Sequence, residues 1–232
     1  MTTTAGRETR TLFDMSEPQD LAIIEREGRR IIELGWHEPD RVVPQYPTWR
    51  LRDLVIHVAG IHGRTAVICR TLPAERIPTP RLPKGRDAFD WAEKQLDTML
   101  ECLRTADGEA EVWTLVPDPR LAFWERRMVI ETGVHQWDAQ SAVEDPGPLL
   151  PIVASHGLDE FADLYLPSLG DVPAIRLVAT DLARSWTYGD GEPAATIEGT
   201  ASDLYLRLMS RPGTSLPLEW EQAVDALRSP AD

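Results

Sequence analysis

Glu131, His135 and Asp138 follow one another at spacings of four and three residues in the stretch WERRMVIETGVHQWDAQ (124–140). A helix turns about 100° per residue, so all three fall on one stripe together with Trp124, Met128 and Ala142. Arg126, Gln136, Gln140 and Glu144 project to the opposite, solvated side. Ionisable groups on an apolar face are costly unless they are paired or hold a cation. Glu131 and His135, one turn apart, can share a single metal ion, and Asp138 can accept a ring N–H or pair with Arg127. A third donor must come from elsewhere. The apolar seam Leu54, Val58, Ile61, Thr65, Ile68 and Leu72 leaves His57 at its edge and His62 on the other flank. A set of His57, Glu131 and His135 would leave one coordination position open, as a catalytic zinc requires. The competing reading is a hydrogen-bonded Glu–His bridge in the core with no metal.

The pattern around these residues predicts the elements that carry them. After a loose tail over residues 1–15, helices are expected from Ser16 or Asp20 to Gly35 and from an N-cap at Thr48 to Leu72. Two more should run from Asp87 to Thr105 and from Arg120 to Val143, the last stopped by Asp145-Pro146-Gly147-Pro148. Four such helices form an up-and-down bundle over residues 1–148. Residues 149–232 change texture into a small α/β domain. They contain a helix over 152–169, a strand over 174–180, a hairpin over 185–199 turning at Gly189-Asp190-Gly191, and a short helix capped by Ser202.

Composition narrows the function. Apolar residues at 42% beside charged residues at 27% describe a globular chain, not a disordered one. A net charge of −14 repels phosphate backbones and anionic membranes, so neither nucleic acid nor membrane is an expected partner. The first twenty residues hold no apolar leader, and no apolar run is long enough to span a bilayer, so a cytoplasmic location is expected. Cys69 and Cys102 form no metal or redox motif and read as small core side chains.

Three segments resemble the mycothiol-dependent maleylpyruvate isomerase family of the DinB/YfiT-like metalloenzyme superfamily: YPTWRLRDLVIHVAGIH (46–62), WERRMVIETGVHQWDAQ (124–140) and EGTASDLYLRLMSR (198–211). The resemblance implies a DinB-like four-helix bundle with a C-terminal α/β domain. It also implies a divalent metal, usually zinc, on the positions matching His57, Glu131 and His135. Arg211 matches an arginine implicated in catalysis, where it would bind a substrate carboxylate or a developing enolate; otherwise it would be a surface side chain pairing with Glu219 or Glu221. Ser210 stands where the family commonly has glycine. The implied reaction uses a low-molecular-weight thiol, mycothiol, as nucleophile on an electrophilic small molecule, giving isomerisation or S-transfer, with Asp138 orienting a ligating histidine. The alternatives are a hydrolase activating water at the same metal and a non-catalytic metal- or ligand-binding regulator. A monomer or homodimer is expected.

Overall fold

The computed structural model describes residues 18–227; the expected tail and a cap at Ser16 lie outside the described residues. Helices α1 (Pro18–His37), α2 (Leu51–Thr71), α3 (Ala88–Thr105) and α4 (Ala122–Ser141) form the bundle, with α2 against α3 and α1 against α4. Ile24, Ile31, Leu54, Ile68, Leu96 and Trp124 are fully enclosed between them. Helix α3 begins where its sequence places it, because the Asp87 carboxylate accepts the backbone N–H groups of Phe89 and Asp90 at 2.8 and 3.1 Å.

Helix α2 does not start at Thr48. Residues Tyr46–Arg50 form strand β2, which pairs antiparallel with the two-residue strand β1 (Val42–Val43). The helix then opens at Leu51, where the backbone N–H of Arg50 donates to the Asp53 carboxylate at 2.8 Å. Helix α4 is also less one-sided than its periodicity suggests. Glu125 and Arg127 are buried, and even Gln136 and Gln140 are half-buried, because α1, α2 and α5 (Pro151–Leu164) all pack on it.

After α5 and a single 3-10 turn (Leu166–Ser168), three strands form a small sheet: β3 (Ile175–Ala179), β4 (Arg184–Tyr188) and β5 (Ala195–Gly199). Their order is β4-β3-β5. The hairpin expected between β4 and β5 is therefore absent: β3 lies between them, antiparallel to β4 from Ile175↔Tyr188 to Ala179↔Arg184 and parallel to β5. The 189–194 segment instead carries the chain past the end of β3. Gly189, at φ +87°, passes so close to Ala174 that a Cβ there would stand 3.0 Å from its Cα.

Helix α6 (Ala201–Leu208) is capped by Thr200, whose hydroxyl accepts the Asp203 N–H at 3.1 Å. The predicted cap, Ser202, is buried and accepts the Leu149 N–H at 2.9 Å, tying the bundle's exit to the α/β part. A further helix unforeseen in the sequence, α7 (Leu218–Leu227), places Trp220 beside Tyr188. The architecture is a four-helix bundle followed by a small α/β part. No described helix is long and apolar enough to cross a membrane.

Candidate functional site

One cavity of about 450 Å³ gathers side chains from both parts of the molecule. Helix α2 contributes His57, α4 contributes Arg127, Glu131 and His135, and the C-terminal part contributes Tyr205 and Arg211. His135 Nε2 lies 3.3 Å from Glu131 Oε2, and the ring of His57 meets the ring of His135 edge-on with centroids 5.2 Å apart. Trp49 leans on His57 at 4.9 Å and stacks on Tyr46 at 4.8 Å, so strand β2 walls the cavity beside α2. His62, on the other flank of α2, is buried and hydrogen-bonded to Thr132 at 2.9 Å.

Charged partners continue from this point in both directions. Arg127 donates to Glu131 Oε1, to Glu160 at 2.6 Å and to the Tyr165 hydroxyl at 3.0 Å, leaving Glu131 Oε2 turned to His135. On its far side His135 Nδ1 stands 3.1 Å from Asp138 Oδ2. Arg211 then grips Asp138 with two hydrogen bonds, Nε to Oδ1 at 2.9 Å and Nη2 to Oδ2 at 2.5 Å. It also donates to the Tyr46 hydroxyl at 3.0 Å and to the Met209 carbonyl at 2.7 Å. Glu219 and Glu221 are not its partners; Glu221 meets Arg207 at 3.5 Å instead.

Electrostatics follow from these contacts. Burial opposes a charge on His135, but the hydrogen bonds to Asp138 and Glu131 outweigh it and push the ring pKa up to about 10. Glu131 is held well below the usual carboxylate range: burial acts against its charge, and the Arg127 guanidinium prevails. Asp138 falls to about 2 in the same way, with Arg211 outweighing burial. His57 is reachable from the cavity yet ringed by protein, and this loss of bulk water, reinforced by His135, lowers its pKa to about 4. Cys69 does not border the cavity; burial, then neighbouring Cys102, raises its thiol to about 11, which suits a core side chain and not a nucleophile.

Arg211 reaches the site through an unusual backbone. Ser210 has φ +57°, in the left-handed region that favours glycine, and its hydroxyl donates to the Val224 carbonyl at 2.8 Å. That bond offsets part of the strain and fixes the turn that aims Arg211 at Asp138.

Among the described residues, no group of three or more His, Cys, Asp or Glu side chains is arranged to hold a metal ion. The donor atoms are nonetheless of the right kind. Two donors bonded to one tetrahedral zinc at about 2.0–2.1 Å stand roughly 3.3 Å apart, and that is the separation of Glu131 Oε2 and His135 Nε2. Both atoms are left over by the outer partners, since Arg127 occupies Oε1 and Asp138 faces Nδ1.

The family model of the mycothiol maleylpyruvate isomerase N-terminal domain matches residues 21–140, just over half of the chain. The chain belongs to that family. Two solved structures of the mycothiol-dependent maleylpyruvate isomerase share the fold at low identity. One is similar at TM-score 0.68 and 14% identity over 86% of this chain and 94% of that one. The other, a histidine-to-alanine mutant, is similar at TM-score 0.63 and 12% identity over 82% and 87%. No curated protein matches. The mycothiol maleylpyruvate isomerase family is one of enzymes, and its matched span contains His57, Glu131, His135 and Asp138. Arg211, Tyr165 and Tyr205 come from beyond that span, so the cavity is completed by the part of the chain that follows the bundle.

Proposed function

We propose that this chain uses mycothiol as a nucleophilic co-substrate on an electrophilic small molecule, with a divalent metal, best zinc, held by His57, Glu131 and His135. The observation that carries the reading is the meeting of these three side chains at one cavity in a chain of this family. His57 lies beside them, its ring centroid 5.2 Å from that of His135. When bound, such an ion supplies Lewis acidity that favours the thiolate over the thiol at neutral pH.

The protein's own groups do the rest. Asp138 fixes the orientation of the His135 ring and keeps Nε2 directed at Glu131, while Arg211 holds Asp138 ionised. Arg127 performs the matching task for Glu131. Tyr46 and Trp49 close the side of the cavity and limit water around the reacting thiolate. Isomerisation then needs no oxidant. The thiolate forms a C–S bond to an alkene carbon and the π pair moves onto a conjugated carbonyl as an enolate. After rotation about the new single bond, the enolate pair re-forms the alkene and sulfur departs with the C–S pair. S-transfer is the same addition ended by protonation of the enolate.

The test is turnover of maleylpyruvate, or of another activated alkene, with and without mycothiol. Rates that depend on thiol concentration and fall in His135→Ala are expected. Equal rates without thiol would overturn the reading in favour of water as the nucleophile.

A further inference from the structure

Tyr205 on α6 has 1% of its surface exposed, yet it borders the cavity. Its ring reaches that place across Gly157 of α5, where a Cβ would run into the hydroxyl-bearing ring carbon. Among the described residues the Tyr205 hydroxyl makes no hydrogen bond, whereas the equally enclosed Tyr188 donates to the Leu158 carbonyl at 2.5 Å. A buried hydroxyl without a partner is rare, and one that borders a cavity is placed to donate to what enters it.

A second phenol stands on the same wall. Tyr165, at the end of α5, accepts Arg127 Nη2 at 3.0 Å, and that same nitrogen donates to Glu131 Oε1. One guanidinium nitrogen thus joins this phenol to a carboxylate of the proposed metal set. Accepting that bond leaves the Tyr165 proton to be donated, and no described residue takes it. The cation behind the oxygen strengthens the hydroxyl as a donor. Burial keeps both groups protonated: with Tyr165 as a further cause, it raises the Tyr205 pKa well above its usual value, and it raises Tyr165 despite Arg127.

We propose that the Tyr205 and Tyr165 hydroxyls donate to the substrate oxygen on which negative charge develops when the thiolate adds. The proposal deepens the function given above and rests on it. That oxygen lies beyond the alkene, away from the carbon that sulfur attacks, so its donors must stand beside the metal donors and not among them. The two phenols do so, because they border the same cavity as His57, Glu131 and His135. As the C–S bond forms, the π pair moves onto the carbonyl oxygen, and both phenols keep their protons while their hydrogen bonds to it strengthen. When sulfur leaves with the C–S pair, the enolate pair re-forms the alkene and those bonds relax. Donors that tighten only as charge develops lower the barrier more than they aid substrate binding.

The probe is 4-nitrophenolate, a stable oxyanion whose absorbance reports its ionisation, titrated into the full chain with chelator present and no thiol. Wild type should bind the anion, and Tyr205→Phe and Tyr165→Phe should each weaken it at least about tenfold. Thermal unfolding separates this role from a structural one: Tyr205→Phe should unfold no earlier than wild type, because the hydroxyl it lacks bonds no described group. In thiol-dependent turnover the same substitution should lower kcat by about 10- to 1000-fold and leave zinc affinity unchanged. No binding of the anion by wild type, undiminished binding by either variant, or an earlier unfolding of Tyr205→Phe would overturn the proposal. Turnover independent of thiol would overturn the proposed nucleophile instead, since neither thiol nor metal enters the titration.

Discussion

Asp138 serves two partners with one carboxylate: it faces the His135 ring and receives the Arg211 fork, and it has no exposure to water. Removing the guanidinium would leave that charge buried and uncompensated. Arg211→Met should therefore lower stability by about 3–5 kcal/mol in urea unfolding, and an unshifted midpoint would show that the pair holds nothing together. The sequence predicts Arg211 facing substrate or a surface glutamate; the structure puts its fork on Asp138. The sequence pointed to Glu131, His135, Asp138 and His57 because helical spacing makes their faces computable. It was silent on Arg211–Asp138 and Arg127–Glu160, whose partners lie 73 and 33 residues apart and meet only through tertiary packing. A second buried acid, Glu125, shows the opposite balance. Burial, with the charge of Asp20, raises its pKa to about 7. A carboxyl whose pKa is higher in the folded state stabilises fully below its unfolded value near 4.3 and loses that contribution as pH rises through about 7. Glu125→Gln should thus match wild type at pH 4 and be roughly 1–3 kcal/mol more stable at pH 8. A difference that does not change with pH would contradict this assignment.

Helix contacts set how firmly the cavity wall is held. Gly157 on α5 lies under the ring of Tyr205 on α6, with no room for a Cβ between them. Tyr205 is itself a cavity residue. Gly157→Ala should cost about 1–3 kcal/mol of stability and weaken ligand binding together, as measured by thermal unfolding and by titration of the same sample. Loss of stability with unchanged binding would mean that Tyr205 has another way to settle. Within single helices the sequence was informative: Asp87 caps α3 as its side chain dictates. Its failures came where a strand partner competed. Thr48 has the chemistry of a cap, but pairing with β1 draws Tyr46–Arg50 into an extended ladder before the helix can begin. Gly189-Asp190-Gly191 has the chemistry of a hairpin turn, yet β3 takes the place beside β4 that β5 would have filled. Local propensity proposes such elements; strand partners decide them.

The bundle and the α/β part line one cavity together. The bundle contributes His57, Glu131 and His135, and the chain after residue 150 contributes Tyr165, Tyr205 and Arg211. The proposed function requires that His57, Glu131 and His135, on two helices, hold one divalent ion, with Arg127 and Asp138 fixing the orientation of Glu131 and His135. The most direct measurement is calorimetric titration of zinc into chelator-treated protein at neutral pH. Wild type should bind one ion per chain. His57→Ala and His135→Ala should each lose at least about tenfold in affinity, whereas His62→Ala, whose partner is Thr132, should keep the stoichiometry. Absence of zinc binding by wild type, or undiminished affinity in His135→Ala, would overturn the proposed metal site.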